Sequence, residues 1–171
     1  MPLNTCSFSS DFGEIHIFAQ DGALCLLRLP GQETTAGQFF DDATRNFLDD
    51  RKDPLLREAR AQLTAYFGGD LRRFDLPIAP VGTAFQKEVW RALMAIPYGE
   101  TATYGAVAQG LGDKNKARAV GGAAHVNPIP LVIPCHRLIG SDGGLTGFAC
   151  GLAMKKALLA LERRHDPSPA A

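Results

Sequence analysis

"TYGAVAQGLGDKNKARAVGGAAHV", Thr103 to Val126, is the stretch on which the fold turns. Thr103 is an N-cap residue type, and "TYGAVAQGLG" after it reads as a short helix. Gly112-Asp113 breaks that helix, and "DKNKARAVGGAAHV" reads as a second one. Two short helices joined by a tight turn form a helix-turn-helix pattern. The second half of the chain is therefore expected to be helical. Upstream, "TAFQKEVWRALMAIP" has Thr83 as a cap and Phe85, Val89, Leu93 and Ile96 on one stripe, and "PYGE" makes a turn. Downstream, "GLAMKKALLALERR" carries Met154, Leu158 and Leu161 on a buried face, before a frayed tail, "HDPSPAA".

The first half reads differently. "CSFSS", "GEIHIFAQ" and "ALCLLRLP" are short β-prone runs punctuated at Gly13 and Asp21-Gly22, the pattern of an antiparallel meander. "GQETTAGQ" is loop. "DPLLREARAQLTAYFGGD" is a helix, with Asp53 as N-cap, Pro54 at the first helical position and Gly68-Gly69 as its stop. Leu56, Leu63 and Phe67 share one face of it. The proline-punctuated "FDLPIAPVGT" is the expected linker. The fold class is α+β: residues 1–80 form a small antiparallel sheet with a helix as a supporting domain. Residues 81–171 form a mostly helical domain with the helix-turn-helix.

At 171 residues and 46% hydrophobic, the chain has enough apolar material for a real core. No run is long enough to span a bilayer, and the first residues lack a signal-peptide pattern, so a cytoplasmic protein without a membrane partner is expected. Net charge is zero, yet unevenly spread. Residues 1–80 hold 8 Lys/Arg against 12 Asp/Glu, a net −4, and residues 81–171 hold 10 against 6, a net +4. Scattered surface charge would explain this; so would a second half that faces a polyanion. Cys6, Cys25, Cys135 and Cys150 form no CxxC pair. Cys6 and Cys25, with His16 nearby, could meet across the sheet as a metal site, but buried structural cysteine is the simpler reading, and no metal or organic cofactor is expected.

The chemistry concentrates around Cys135-His136. A thiol reacts as thiolate, an imidazole can take its proton, and a third group can orient the imidazole. Neighbours on a strand point to opposite faces, so the pair cooperates only if the backbone turns, which Pro134 would favour. Asn127 before Pro128 can pin such a turn through its amide. Glu162, beside Leu161 on the last helix, is the carboxylate candidate. The same adjacency also fits a buried cysteine next to a solvent-facing histidine. Upstream, Arg118, Gly121, Gly122, Ala123 and Ala124 make a poor helix, two glycines costing roughly 1–2 kcal/mol. Their bare surface suits either close helix packing or entry into a DNA groove with arginine as a wedge.

At these residues the chain resembles the O6-alkylguanine-DNA alkyltransferase family. The resemblance runs from about Thr83 to Glu162, through "IPYGETATYGAVA", "ARAVGGA", "NPIPLVIPCHRLIG", "GLTGF" and "KKALLALE". It implies a single-use repair protein that binds duplex DNA carrying O6-alkylguanine from the minor groove, flips the lesion out and takes the alkyl group onto Cys135. It assigns His136 as the base acting through a water, Glu162 as its holder, Asn127 as the turn-fixing amide and Tyr104 as the group that helps rotate the nucleotide and donates toward the guanine. Arg118 would fill the gap left by the base, with Ala117, Gly121, Gly122, Ala124, Tyr104 and Arg137 on the DNA face. Pro130, Leu138, Phe148 and Ala149 would wall the pocket. The implied protein is a monomer, several of which could sit along one DNA, cytoplasmic or, in a eukaryote, nuclear. O4-alkylthymine is a second possible lesion. Phe148 stands where the family commonly has tyrosine, and Cys150 where a small glycine is common.

The competing readings are a non-catalytic lesion-recognition protein, a helix-turn-helix methylation sensor and a cysteine hydrolase. The first would lack the cysteine, and the second would need a cysteine-rich zinc domain. A plain transcription factor would need polar base-reading side chains that Gly121-Gly122-Ala123-Ala124 cannot supply.

Overall fold

The computed structural model describes residues 3–32, 45–47 and 52–168. It opens with β1 (Leu3–Ser10), β2 (Gly13–Gln20) and β3 (Ala23–Arg28), paired antiparallel in sequence order. Asp21 and Gly22 both have positive φ (52° and 78°), which gives the hairpin a two-residue loop whose twist matches its strands. A short fourth strand, β4 (Arg45–Phe47), pairs in parallel with β1, so the sheet order is β3-β2-β1-β4. Nothing in the strand pattern announced β4, because three residues carry no period. Of the expected "GQETTAGQ" loop, all but Gly31 and Gln32 lies outside the described residues.

Both faces of the sheet are covered. Cys6, Phe8, Ile15, Ile17, Ala19, Leu24 and Leu27 join the main core, whereas Leu3, Phe18, Cys25 and Leu26 form a second cluster. Cys6 and Cys25 therefore belong to different clusters and do not meet as a metal pair. Among the described residues no group of His, Cys, Asp and Glu could hold a metal.

α1 (Pro54–Phe67) begins where Asp53 accepts from the backbone N–H groups of Leu55 and Leu56, at 2.9 and 3.2 Å. Such a cap is worth about 1 kcal/mol. The other Asp53 oxygen accepts from Asn4 Nδ2 at 2.9 Å, tying the helix to β1. The buried stripe of α1 is Leu56, Ala59, Leu63 and Tyr66; Phe67 is only partly buried. The expected linker is strapped to the sheet: Leu24 N–H donates to Pro77 O and Ala79 N–H to Leu24 O, each at 2.8 Å. α2 (Ala84–Met94) starts with a capping box of Thr83 and Gln86 and buries Val89, Trp90 and Leu93.

β5 (Ala102–Thr103) leads into α3 (Tyr104–Gly110), capped by Thr103. The second helix of the pair is shorter than its sequence pattern: one 3₁₀ turn over Lys114–Lys116 precedes α4 (Ala117–His125). Trp90 Nε1 donates to Ala123 O at 2.9 Å and holds α4 against α2. β6 (Leu138–Ile139) pairs with β5 in parallel, and α5 (Leu152–His165) closes the fold. One core cluster runs from Cys6 on β1 to Leu161 on α5, across both halves of the chain. The start of the expected frayed tail is held: Arg72 Nη2 donates to His165 O at 3.0 Å.

Candidate active site and nucleic-acid interface

The segment from Asn127 to Cys135 turns sharply several times. Pro134 (φ −81°, ψ 66°) sits at the centre of an inverse γ-turn, with Cys135 N–H donating to Ile133 O at 2.8 Å. A 3₁₀ turn over Cys135–Arg137 follows, so the backbone bend that the Cys-His pair requires is present. Leu131 holds φ 73° while buried, a strained conformation that costs of order 1–3 kcal/mol. The anchor is Asn127. Its Nδ2 donates to Ile133 O at 2.7 Å and to Cys135 Sγ at 3.2 Å, and its Oδ1 accepts from Ile129 N–H at 3.0 Å. One buried amide thus fixes the loop and touches the thiol. Leu27 N–H, from β3, donates to Pro128 O at 2.9 Å and braces the same loop.

Burial pushes the Cys135 thiol up to about 11, against the opposing pull of the Asn127 amide and the Lys155 ammonium. His136 is fully buried, which lowers its pKa and keeps the ring neutral. The solvent-facing alternative for His136 is thereby excluded. Its Nε2 lies 2.7 Å from Glu162 Oε1. Burial alone would raise the Glu162 carboxyl, but hydrogen bonds and charge from His136 and Arg137 outweigh it and bring it down to about 2. With His136 neutral, the standing counter-charge is Arg137. An ionised carboxylate only accepts, so the His136 proton sits on Nε2 and the lone pair on Nδ1. Nδ1 is buried with no hydrogen-bond partner among the described residues, a basic atom left open.

Glu162 is the hub of the site. Arg137 gives it Nε (3.0 Å to Oε2) and Nη2 (2.9 Å to Oε1), Tyr66 OH donates to Oε1 at 2.7 Å, and Gly99 N–H to Oε2 at 3.1 Å. Arg137 Nη1 donates to Ile96 O at 2.6 Å. This corrects the expectation that Arg137 contacts DNA: the residue is 6% exposed, and Nε, Nη1 and Nη2 of its guanidinium all donate inside the protein.

Beside this buried array lies an open cleft of about 480 Å³ lined by Tyr104, Gly105, Ala117, Arg118, Gly121, His125, Ser141, Thr146 and Gly147. Tyr104 OH donates to Thr146 O at 2.7 Å, and Lys155 Nζ donates to the same carbonyl at 2.8 Å. Lys155 thus links the cleft wall to the thiol it draws on. Arg118 is exposed, and Gly122 faces open space, with nothing within 4 Å of where a Cβ would stand. Ala124 is a correction. With Val120 and Ala123 it forms the inward stripe of α4, so it packs in the core rather than on the DNA face. Leu138 is likewise fully buried and Pro130 buried, so neither lines the open cleft. Phe148 and Ala149 are half-buried directly after Gly147.

Sequence reasoning passed over Tyr66 and Lys155. Both were legible in helix phase: Tyr66 continues the Leu56-Ala59-Leu63 stripe, and Lys155 lies on the stripe of Leu158, Leu159 and Glu162, where a charged residue is unusual.

Two family models match the chain, the 6-O-methylguanine DNA methyltransferase ribonuclease-like domain over residues 6–80 and the DNA-binding domain of the same family over residues 84–164. A methylated-DNA–protein-cysteine methyltransferase of Methanosarcina acetivorans is 56% identical over 108 residues, 63% of this chain and 69% of that protein. The crystal structure of Mycobacterium tuberculosis O6-methylguanine methyltransferase is similar over 97% of this chain and 96% of that one, with TM-score 0.84 and 37% identity. The Mycobacterium tuberculosis protein in complex with DNA matches at TM-score 0.82 and 38% identity, over 96% of each chain.

Proposed function

The chain belongs to the 6-O-methylguanine DNA methyltransferase family, and from that premise we propose that it repairs duplex DNA by moving an alkyl group from O6 of guanine to Cys135, once per molecule. The observation that carries this reading is the Asn127–Cys135 contact at 3.2 Å next to the buried His136–Glu162 pair at 2.7 Å. A thiol buried to a pKa of about 11 is inert until a base takes its proton, and His136 Nδ1 is the basic atom at hand.

In the proposed reaction the Cys135 proton passes through a water to His136 Nδ1. Sγ then forms a bond to the alkyl carbon as the bond from that carbon to guanine O6 breaks. The released electron pair moves into the ring, and the proton taken up by His136 returns through water to guanine N1, so that thiol and O6-alkylguanine become thioether and guanine. Tyr104 lines the cleft, and its hydroxyl would turn from Thr146 O toward the departing base. A thioether is stable in water and its carbon–sulfur bond gives a poor leaving group, which supports single use. α4 would enter the minor groove through Ala117, Arg118, Gly121 and Gly122, and Arg118 would take the place of the flipped base.

Intact-protein mass after mixing with a duplex containing one O6-methylguanine, with peptide mapping, tests the reading. One added methyl on Cys135 and repair stopping at one lesion per protein are expected. Tight lesion binding with no added mass would instead mark a recognition protein.

A further inference from the structure

Tyr66 comes from α1, in the half of the chain that carries none of the groups named above for the transfer. Its side chain is fully buried, and its ring is held by Phe67, Phe74 and Tyr98 at centroid distances of 5.6, 5.3 and 6.1 Å. Its hydroxyl donates to Glu162 Oε1 at 2.7 Å and lies 3.4 Å from His136 Nε2. That oxygen is the one His136 itself uses, also at 2.7 Å. We propose that Tyr66 is a positioning residue for alkyl transfer, one that sets the basicity of His136 by sharing Glu162 Oε1 with it. The inference rests on the transfer reading above.

The physical argument runs through the carboxylate. Burial and then the Glu162 charge raise the Tyr66 pKa well above its ordinary value, so the hydroxyl stays protonated and acts as a donor to Glu162. Each donor on Oε1 disperses charge that would otherwise hold a proton on His136. The other charged or titratable groups facing this pair are Arg137 and Cys135 on the active-site turn, Lys155 on α5 and Tyr98 on the turn before β5. Tyr98 in turn faces Arg72 and Asp166. Arg137 carries the fixed charge; Tyr66 adds a neutral donor locked in direction by its ring packing. Without it, Oε1 pulls harder on the His136 proton, and the ring stays protonated to a higher pH. A ring protonated at Nδ1 cannot accept the Cys135 proton.

The test is the pH dependence of methyl transfer at saturating lesion duplex, in single-turnover format, for the native chain, Tyr66→Phe, and a chain with 3-fluorotyrosine at position 66. Phenylalanine keeps the ring, and 3-fluorotyrosine keeps the fold while making the hydroxyl a stronger donor. The acid limb of the profile is expected to move up by about half a pH unit in Tyr66→Phe and down with 3-fluorotyrosine, the scale on which a single hydrogen-bond donor shifts a buried group. Duplex affinity should be unchanged in both variants, since Tyr66 is buried inside the protein. Acid limbs that stay in place in both variants, whatever happens to the rate or the melting temperature, would reduce Tyr66 to packing and overturn the proposal alone. Failure of the native chain to methylate Cys135 would overturn the transfer reading and this proposal with it.

Discussion

Cys135 is a nucleophile kept switched off by its surroundings. With a pKa pushed up to about 11, roughly one thiol in ten thousand is ionised at pH 7. Burial therefore protects it from casual oxidation and leaves activation to His136. Asn127 works in the opposite direction, since an N–H at 3.2 Å stabilises the thiolate more than the thiol. Two substitutions separate these roles. Cys135→Ser should abolish methyl gain in the mass assay while duplex binding persists; transfer retained by the serine variant would sink the assignment. Asn127→Ala removes the thiol contact and two loop anchors together. Transfer should slow at least tenfold, and the apparent thiol pKa, followed by thiolate absorbance, should rise; an unmoved titration would leave Asn127 as a loop staple only.

At the scale of elements, α4 carries two faces with different duties. Val120, Ala123 and Ala124 point into the core, while Arg118 and Gly122 point out. Glycine at an exposed helix position costs about 1 kcal/mol against alanine. Nothing packs against Gly122, so the fold itself gives no reason to keep it there. Gly122→Leu should leave the melting temperature unchanged or raised, since leucine is the better helix former. Duplex affinity should fall at least tenfold because the side chain stands where a backbone would approach. Reaction with free alkylguanine base should continue at the native rate. Equal affinity of both forms for duplex would remove α4 from the DNA face. The turn at Gly99 is a second case of an element serving the site. Its φ of 79° and its N–H bond to Glu162 join the "PYGE" turn to α5, and a Cβ there would stand 2.5 Å from Asp166 Oδ2.

Across the whole molecule, long-period and capped elements were legible in the sequence, and long-range convergence was not. The Asp53, Thr83 and Thr103 caps, the hairpin turn at Asp21-Gly22 and the apolar stripes of α1 and α2 are local signals, and they set the α+β architecture. Cys135, His136, Asn127 and Glu162 were named from residue chemistry and family resemblance. What no local pattern carries is that Tyr66, Gly99, His136 and Arg137, far apart in sequence, meet on one carboxylate. For the same reason Arg137, which the family resemblance puts on the DNA face, belongs inside. This convergence makes stability depend on pH. Glu162 falls to about 2 in the fold from an ordinary value of 4.5, so its contribution is full above pH 4.5 and is lost as pH drops toward 2. The shift corresponds to about 3 kcal/mol of linkage, a large part of a domain's typical stability. His136 acts in the same sense: its pKa is lowered by folding, so its share is full above 6.5 and declines below. The unfolded chain binds more protons in both windows, and the molecule should lose stability steadily from about pH 6.5 downward, measurable as denaturant midpoints at a series of pH values. Glu162→Gln should be much less stable than the native chain at pH 7, because it leaves Arg137 buried without its counter-charge, and the gap should narrow as pH falls from 4.5 toward 2. A gap that stays constant from pH 7 to 3 would mean that the carboxylate charge is not what holds this site together.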